Sequence, residues 1–429
     1  MELPKVGTLP RMAKVRQLFP HDKIEDLEAT IRDGLRARNL HDRIGNGKRV
    51  GITVGSRGAG GTLEAVKAII AEVKAAGGQP FVIPAMGSHG GATPEGQTKI
   101  LSFFGVTEEN VGAPIDPRME TILRGTGRNG YRPHYALSAH EADAVIVLGR
   151  TTVHPNLKLG EQSDGVASGL LKMVMIGLGK QAGAQAAHHY GLAECIVQAP
   201  DLLVQGSNIV AGVSIVENAY REPYHVEVVP PEEFKASDQR QLKLAQSLLG
   251  QIPFDELDVL VCDVMGKDVA GSGLDPNVIG FWRFEGGPHV PNYRRIISLD
   301  LTSASLGNAT GAGLNDFVTR RLADKIDPHV TWMNMLTAAN KDGSIVEGFL
   351  PMVAATDREA LQFALMSLMP CDAPRVCHIH DTSRLEEMMV SEALLPLAQQ
   401  FPNIEVLSDL QAAPFDESGK LVWIEGSRG

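Results

Sequence analysis

The stretch Arg49-Val50-Gly51-Ile52-Thr53-Val54-Gly55-Ser56-Arg57-Gly58-Ala59-Gly60-Gly61-Thr62 decides the reading of the fold. Arg49 to Val54 is a short apolar run that predicts a strand, and Gly55 to Thr62 is a glycine-rich turn. A helix is predicted next, with Val66, Ile69, Ile70 and Val73 on one face, followed by a second strand from Pro80 to Pro84. Strand, glycine loop, helix, strand is a βαβ unit, so the sheet is expected to be parallel. Upstream, Ile24, Leu27, Ile31 and Leu35 recur at three- and four-residue steps and predict a helix behind an Asp22 cap.

The alternation continues downstream. Ala144 to Leu148 is a near-continuous apolar run, as expected of a strand covered on both faces. Leu257 to Cys262 and Ile296 to Leu299 read the same way. A helix around Arg358 to Leu368 is expected before a strand at Val376 to Ile379. A further helix from about Arg384 is expected before a strand at Ile404 to Leu407. The polar helix Asp238 to Leu249, closed by Gly250, marks a boundary between domains at residues 1–250 and 251–429. The expected fold class is two α/β domains with mainly parallel sheets and a cleft between them.

With 429 residues, 43% of them hydrophobic and 21% charged, the chain has ample material for two buried cores. Its formal charge of −11 argues against a general nucleic-acid coat, while leaving room for a local cationic pocket that binds a small anion. No uninterrupted apolar run reaches the ~18 residues of a membrane span. Met1 to Lys5 lacks the basic and apolar regions of a signal peptide. Cys195, Cys262, Cys371 and Cys377 are scattered, which fits a reducing compartment, so the cytoplasm is the expected location.

The Gly55–Thr62 turn fits no common nucleotide fingerprint. A dinucleotide pattern from Gly58 requires glycine at Leu63, and a P-loop from Gly55 requires lysine at Gly61. What remains is a strand-to-helix turn whose backbone N–H groups suit an anion, with Arg57 able to clamp a carboxylate or phosphate. The second strand runs into Ala85-Met86-Gly87-Ser88-His89-Gly90-Gly91, and a helix is expected from Pro94 with Thr93 as its cap. Ligands of open α/β sheets bind beyond the carboxyl ends of strands, where Arg57 and His89 both fall. His154 lies beyond the third strand, in Gly149-Arg150-Thr151-Thr152-Val153-His154. Histidine is the natural proton carrier near neutral pH.

Lys172 stands in the apolar stretch Ser168-Gly169-Leu170-Leu171-Lys172-Met173-Val174. It either snorkels to water or is desolvated, and a desolvated lysine is a good point of covalent attachment. His188 and His189 follow as a pair, which by itself is a weak metal signal. Cys371, Cys377, His378 and His380 match no common zinc spacing, and strand alternation places His378 and His380 on one face.

The ordered set Arg57, His89, His154, Lys172 and His188 resembles the lactate racemase family, whose members use a nickel-pincer nucleotide. The likeness covers roughly Gly51 to Tyr220. It implies a racemase or epimerase that inverts a 2-hydroxy acid or sugar-acid carbon by proton-coupled hydride transfer to the cofactor and back. The resemblance implies that Arg57 holds the substrate carboxylate and that His89 and His154 are paired acid/bases. Lys172, in a segment begun by Ser168 and Gly169, carries the cofactor covalently, and His188 binds nickel. Lys267, in the loop after the strand at Leu257, fills the place of a second substrate-binding cation. The cofactor is a pyridinium-derived thioamide–thiocarboxylic acid mononucleotide carrying nickel. The resemblance thus implies cofactor-biosynthesis proteins as partners, a small anionic substrate, a first domain holding cofactor and histidines, and a second domain closing over the substrate. The family's arginine sits in Asp-x-Thr-Arg-Pro, whereas this chain has Gly55-Ser56-Arg57-Gly58, and Lys158 to Asp164 resembles an insertion. Both departures point to a distant branch with its own substrate. The competing readings are an NAD(P)-type oxidoreductase and an inactive nucleotide- or cofactor-binding protein.

Overall fold

The computed structural model describes residues 9–56, 60–153, 168–338 and 345–425. Arg57 and His154 lie outside the described residues. The chain divides into two compact units. One comprises His21–Leu249 and Met333–Gly343; the other comprises Met1–Pro20, Gly250–Trp332 and Ser344–Gly429.

The unit built on His21–Leu249 contains a five-stranded sheet in the order Gln79–Pro84, Arg49–Val54, Ala144–Arg150, Ile209–Glu217, Pro223–Val229. Its first three pairings are parallel and the last is antiparallel. Ile52 lies opposite Val82 on one side and Ile146 on the other, and all three are fully buried. The near-continuous apolar runs follow from this, since a central strand covered on both faces has no polar side to show. Helix Thr62–Ala75 buries Val66, Ile69, Ile70 and Val73, the face its spacing predicts.

The amino-terminal helix of this unit is Leu27–Ala37, and its cap is Asp26, whose carboxylate accepts the Ala29 N–H at 2.9 Å. The expected Asp22 cap is therefore corrected by one turn. Ile24 precedes the helix and instead donates its backbone N–H to Pro223. Leu27, Ile31 and Leu35 are buried, and the opposite face sends Arg32 and Arg36 to Glu72 on the neighbouring helix at 2.7–3.0 Å. Burial raises the Glu72 pKa, but the two guanidiniums outweigh it and hold the carboxyl below its ordinary value. A carboxyl with a lowered folded pKa stabilises above its unfolded pKa, and that contribution fades as pH falls through the folded value. Glu72→Gln is expected to cost about 1 kcal/mol at neutral pH, measured by urea unfolding. The gap between variant and parent is expected to start narrowing below about pH 4, where the unfolded carboxyl titrates, and to vanish once pH passes the lowered folded value. A gap independent of pH would refute the assignment.

The second unit carries a nine-stranded sheet. Along its path the order is Met352–Ala354, Phe317–Thr319, Asn292–Ser298, Glu256–Cys262, Val376–Asp381, Arg384–Ser391, Arg11–Gln17, Ile404–Val406, with Gln411–Ala412 also paired to Arg11–Gln17. The strands from Met352–Ala354 to Val376–Asp381 are parallel and the remainder antiparallel. Two expectations are corrected here. The helix expected from Arg384 is the strand Arg384–Ser391, which turns back from Val376–Asp381 through Asp381-Thr382-Ser383. Pairing on both edges overrides the helical propensity of Leu385-Glu386-Glu387-Met388. The amino-terminal residues, expected within 1–250, belong to this unit because Arg11–Gln17 pairs with Arg384–Ser391, with Val15 opposite Met388.

His378 is fully buried, whereas the His380 side chain is 41% exposed. The ladder slips between Ile379 and Asp381, so the two rings do not share an environment. His378 meets the Asp263 carboxylate at 2.6 Å, and Asp263 also accepts the Trp423 indole N–H at 2.6 Å. Burial pushes the Asp263 pKa up, and the two hydrogen bonds and the neighbouring histidines bring it below the usual value. This network ties the carboxyl-terminal segment to the sheet. Among the described residues no three His, Cys, Asp or Glu side chains are grouped to hold a metal, and no helix is long and apolar enough to cross a membrane.

Candidate functional site

The chain runs from Arg49–Val54 outward to Gln79–Pro84, then returns across the first strand to Ala144–Arg150. The loops leaving Arg49–Val54 and Ala144–Arg150 therefore part in opposite directions, and a crevice opens between their carboxyl ends. A cavity of about 110 Å³ lies there. Gly55 and Ser56 line it from one strand end, Gly149 and Arg150 from the other, His89 from the loop after Gln79–Pro84, and Lys172 from a short helix. Ser168 and Gly169 also line it.

His89 is positioned by a tight loop. Ala85 continues the sheet by donating to Val54 at 2.8 Å, and the His89 N–H turns back to the Met86 carbonyl at 3.2 Å. Gly87 takes φ +60, a left-handed conformation that favours glycine, and its carbonyl accepts from the buried Gln97 amide at 3.0 Å. The helix Pro94–Phe103 starts as its sequence predicts, with the Thr93 hydroxyl accepting the Gly96 N–H. The His89 ring places Nδ1 at 2.7 Å from the Met86 carbonyl oxygen. A carbonyl only accepts, so Nδ1 carries the proton and Nε2 is the basic nitrogen of the neutral ring. That tautomer is the one a general base needs.

Lys172 closes the short helix Leu170–Lys172, which passes directly into a π-helical turn, Met173–Gly177. Such turns often occur at functional sites because they re-aim one residue. This one packs on the strand ends: a Cβ on Gly177 would lie 2.7 Å from the Ala85 carbonyl oxygen. The Lys172 side chain is partly buried and its ammonium donates to the Ser168 hydroxyl at 3.3 Å.

His188 lies near the end of the helix Lys180–Tyr190 and is partly buried. It is not among the described residues that line the cavity. Ala184, one turn earlier on the same face, packs against Gly87 of the His89 loop, where a built Cβ would lie 3.5 Å away. Ser56 and Thr152, close in sequence to Arg57 and His154, line the cavity. Lys267 belongs to the other unit, in the loop after Glu256–Cys262; it is 8% exposed and donates to the Gly271 carbonyl. The neighbouring Glu347 carboxyl is pushed up to about 7 by burial, with the Lys267 charge pulling the other way.

Three residues that sequence reasoning passed over shape this region. Arg150 ends its strand inside the cavity wall and pairs with Glu217 at 2.7 Å, and Glu217 also accepts the Gly60 N–H. Its position two residues past the apolar run Ala144–Leu148 was the available signal. Lys180 is fully buried, and its ammonium donates to the Pro84 carbonyl at 2.6 Å, at the strand end that begins the His89 loop. Burial lowers its pKa to about 8, against the pull of Asp116 and Glu120. Asp238 caps the Lys172 segment and had no local signal, being brought in from a distant helix.

No protein-family profile matches this chain, and no curated protein matches it. Among solved structures it is similar to the lactate racemase apoprotein from Thermoanaerobacterium thermosaccharolyticum. That likeness covers 87% of this chain and 99% of the other, with 13% sequence identity and a TM-score of 0.49. At that level it assigns neither a family nor an activity.

Proposed function

We propose that this chain is an isomerase, a nickel-pincer nucleotide-dependent racemase or epimerase of a 2-hydroxy acid or sugar acid. One observation carries the reading: the amine of Lys172 and the imidazole of His89 line a single cavity at the topological switch point of the parallel sheet. The motif resemblance assigns attachment to that lysine and proton transfer to that histidine independently of the coordinates. The cofactor asks the protein for an amine at a cavity wall and one imidazole, because it brings the metal's other donors with it. The partly buried Lys172 amine beside Ser168 fits the first requirement; the second is assigned to His188 by the motif resemblance, its ring not lining the cavity.

When bound, the cofactor supplies the hydride acceptor that no side chain provides. The protein's residues do the rest. His89, with Nδ1 fixed by Met86, takes the hydroxyl proton of one enantiomer at Nε2 and returns it in the reverse direction. His154 serves the opposite hand. Arg57, with Lys267 as the second cation, neutralises the carboxylate.

The test is expression with the proteins that build the cofactor. The expected result is a peptide adduct at Lys172, nickel equimolar with the chain and lost in His188→Ala, and inversion of a 2-hydroxy acid with its C–H label retained. An unmodified Lys172 and no nickel under those conditions would overturn the proposal.

A further inference from the structure

The segment that carries Lys172 is held from behind by a carboxylate that neither the motifs nor the proposed chemistry assigns. Asp238 lies on the helix Phe234–Ser247 and is 1% exposed. One carboxylate oxygen accepts the Leu170 N–H at 2.8 Å and the other accepts the Leu171 N–H at 3.0 Å. These are the first two backbone donors of the Lys172 helix, which lacks a cap from its own residue at Gly169. Gly169 has φ −169, extended backbone open to any residue, so conformation does not demand glycine there. Space does: a Cβ at Gly169 would stand 2.3 Å from Asp238 Oδ1 and 2.5 Å from its Cγ. The side chains of Leu170 and Leu171 are fully buried, so the segment is pinned by its backbone on one side and its leucines on the other.

We propose that Asp238 is the positioning residue for the Lys172 amine, and that position 169 is glycine so that this two-point clamp can close. Two bonds to one rigid group fix both the start of the helix and its rotation about the axis. Rotation decides whether the side chain at 172 meets the cavity or the core. Ser168 and Gly169 line the same cavity, and the Lys172 ammonium reaches back to the Ser168 hydroxyl, so the clamp also sets that contact. Burial pushes the Asp238 carboxyl up to about 7, with the two N–H groups opposing that shift and the Glu227 charge adding to it. The inference rests on the reading of Lys172 as the working amine, but not on any cofactor being bound.

The experiment is competitive reductive methylation of the cofactor-free full chain with formaldehyde and cyanoborohydride, read lysine by lysine from peptide masses. Exposed Lys67 and Lys99 serve as internal references. Releasing the clamp in Asp238→Ala is expected to raise the Lys172 rate about ten-fold relative to the references, the scale of one lost hydrogen bond to a charged acceptor. Asp238→Asn, which keeps one acceptor oxygen, is expected to fall between. Gly169→Ala, which forces the carboxylate away without altering it, is expected to match Asp238→Ala. An unchanged Lys172 rate in any of these variants with unchanged reference rates overturns the proposal. Should Asp238→Ala not fold, the other two decide. A normal clamp response with no adduct at Lys172 after cofactor loading would sink the functional reading alone. A normal adduct with unresponsive methylation would sink the clamp alone.

Discussion

Lys172→Arg is expected to abolish the covalent adduct and to reduce inversion by about 10⁴-fold or more, with the fold intact. Arginine keeps the positive charge and nearly the length of lysine, so a site that used only charge would tolerate the change. A guanidinium is not a nucleophile at any accessible pH and cannot take the amine's place in an acyl-type bond. The side chain is partly buried at a cavity wall rather than packed in the core, so the stability cost is expected to stay below about 1 kcal/mol. Peptide mass after expression with the cofactor-building proteins measures the first effect, chiral separation the second, and thermal unfolding the third. Retained inversion in this variant would remove the attachment role from Lys172.

Much of the fold was readable because the deciding signals were local. Arg49–Val54 is bounded by a charged residue and a glycine-rich turn, and the strand ends where those signals place it. Thr93 and Pro94 announce their helix by cap and first-turn chemistry that involves no distant residue. The two misreadings in the second unit share one physical cause, which is pairing with distant chain. Arg384–Ser391 has a helix-compatible composition and becomes a strand because it lies between Val376–Asp381 and Arg11–Gln17. Arg11–Gln17 likewise joins the later unit through backbone bonds that its own seven residues do not encode.

The site divides along the same line. Lys172 was legible because a charge inside an apolar run needs an explanation, and His89 because glycines crowd a strand end. Asp238 was not, since its role exists only once a helix from elsewhere in the chain has packed behind Gly169. Lys180 reads as one more lysine of a polar helix until the fold buries its amine against Pro84. Positioning groups are harder to read than reacting ones because their partners are backbone atoms, which every residue has.

His89→Asn is expected to lower inversion about 10²–10⁴-fold while leaving the Lys172 adduct in place. The asparagine amide can reproduce the donation that His89 Nδ1 makes to Met86, so the loop retains its closure. It offers no basic nitrogen where Nε2 stood. The substitution therefore separates proton transfer from positioning, which alanine would not do. A further constraint sharpens the result. The two enantiomers of a simple 2-hydroxy acid have equal free energies, so kcat/KM must be the same in both directions for any variant. Although His89 is assigned to one hand and His154 to the other, the loss in His89→Asn must appear equally from either enantiomer. The variant should fail symmetrically in kcat/KM and asymmetrically in kcat and KM taken singly, because only one of the two bound forms loses its base. Measuring both directions on one protein sample tests this without reference to the parent's absolute rate. Near-parental inversion would withdraw the base role from His89. A KM raised equally in both directions with kcat unchanged would place it in binding rather than in proton transfer.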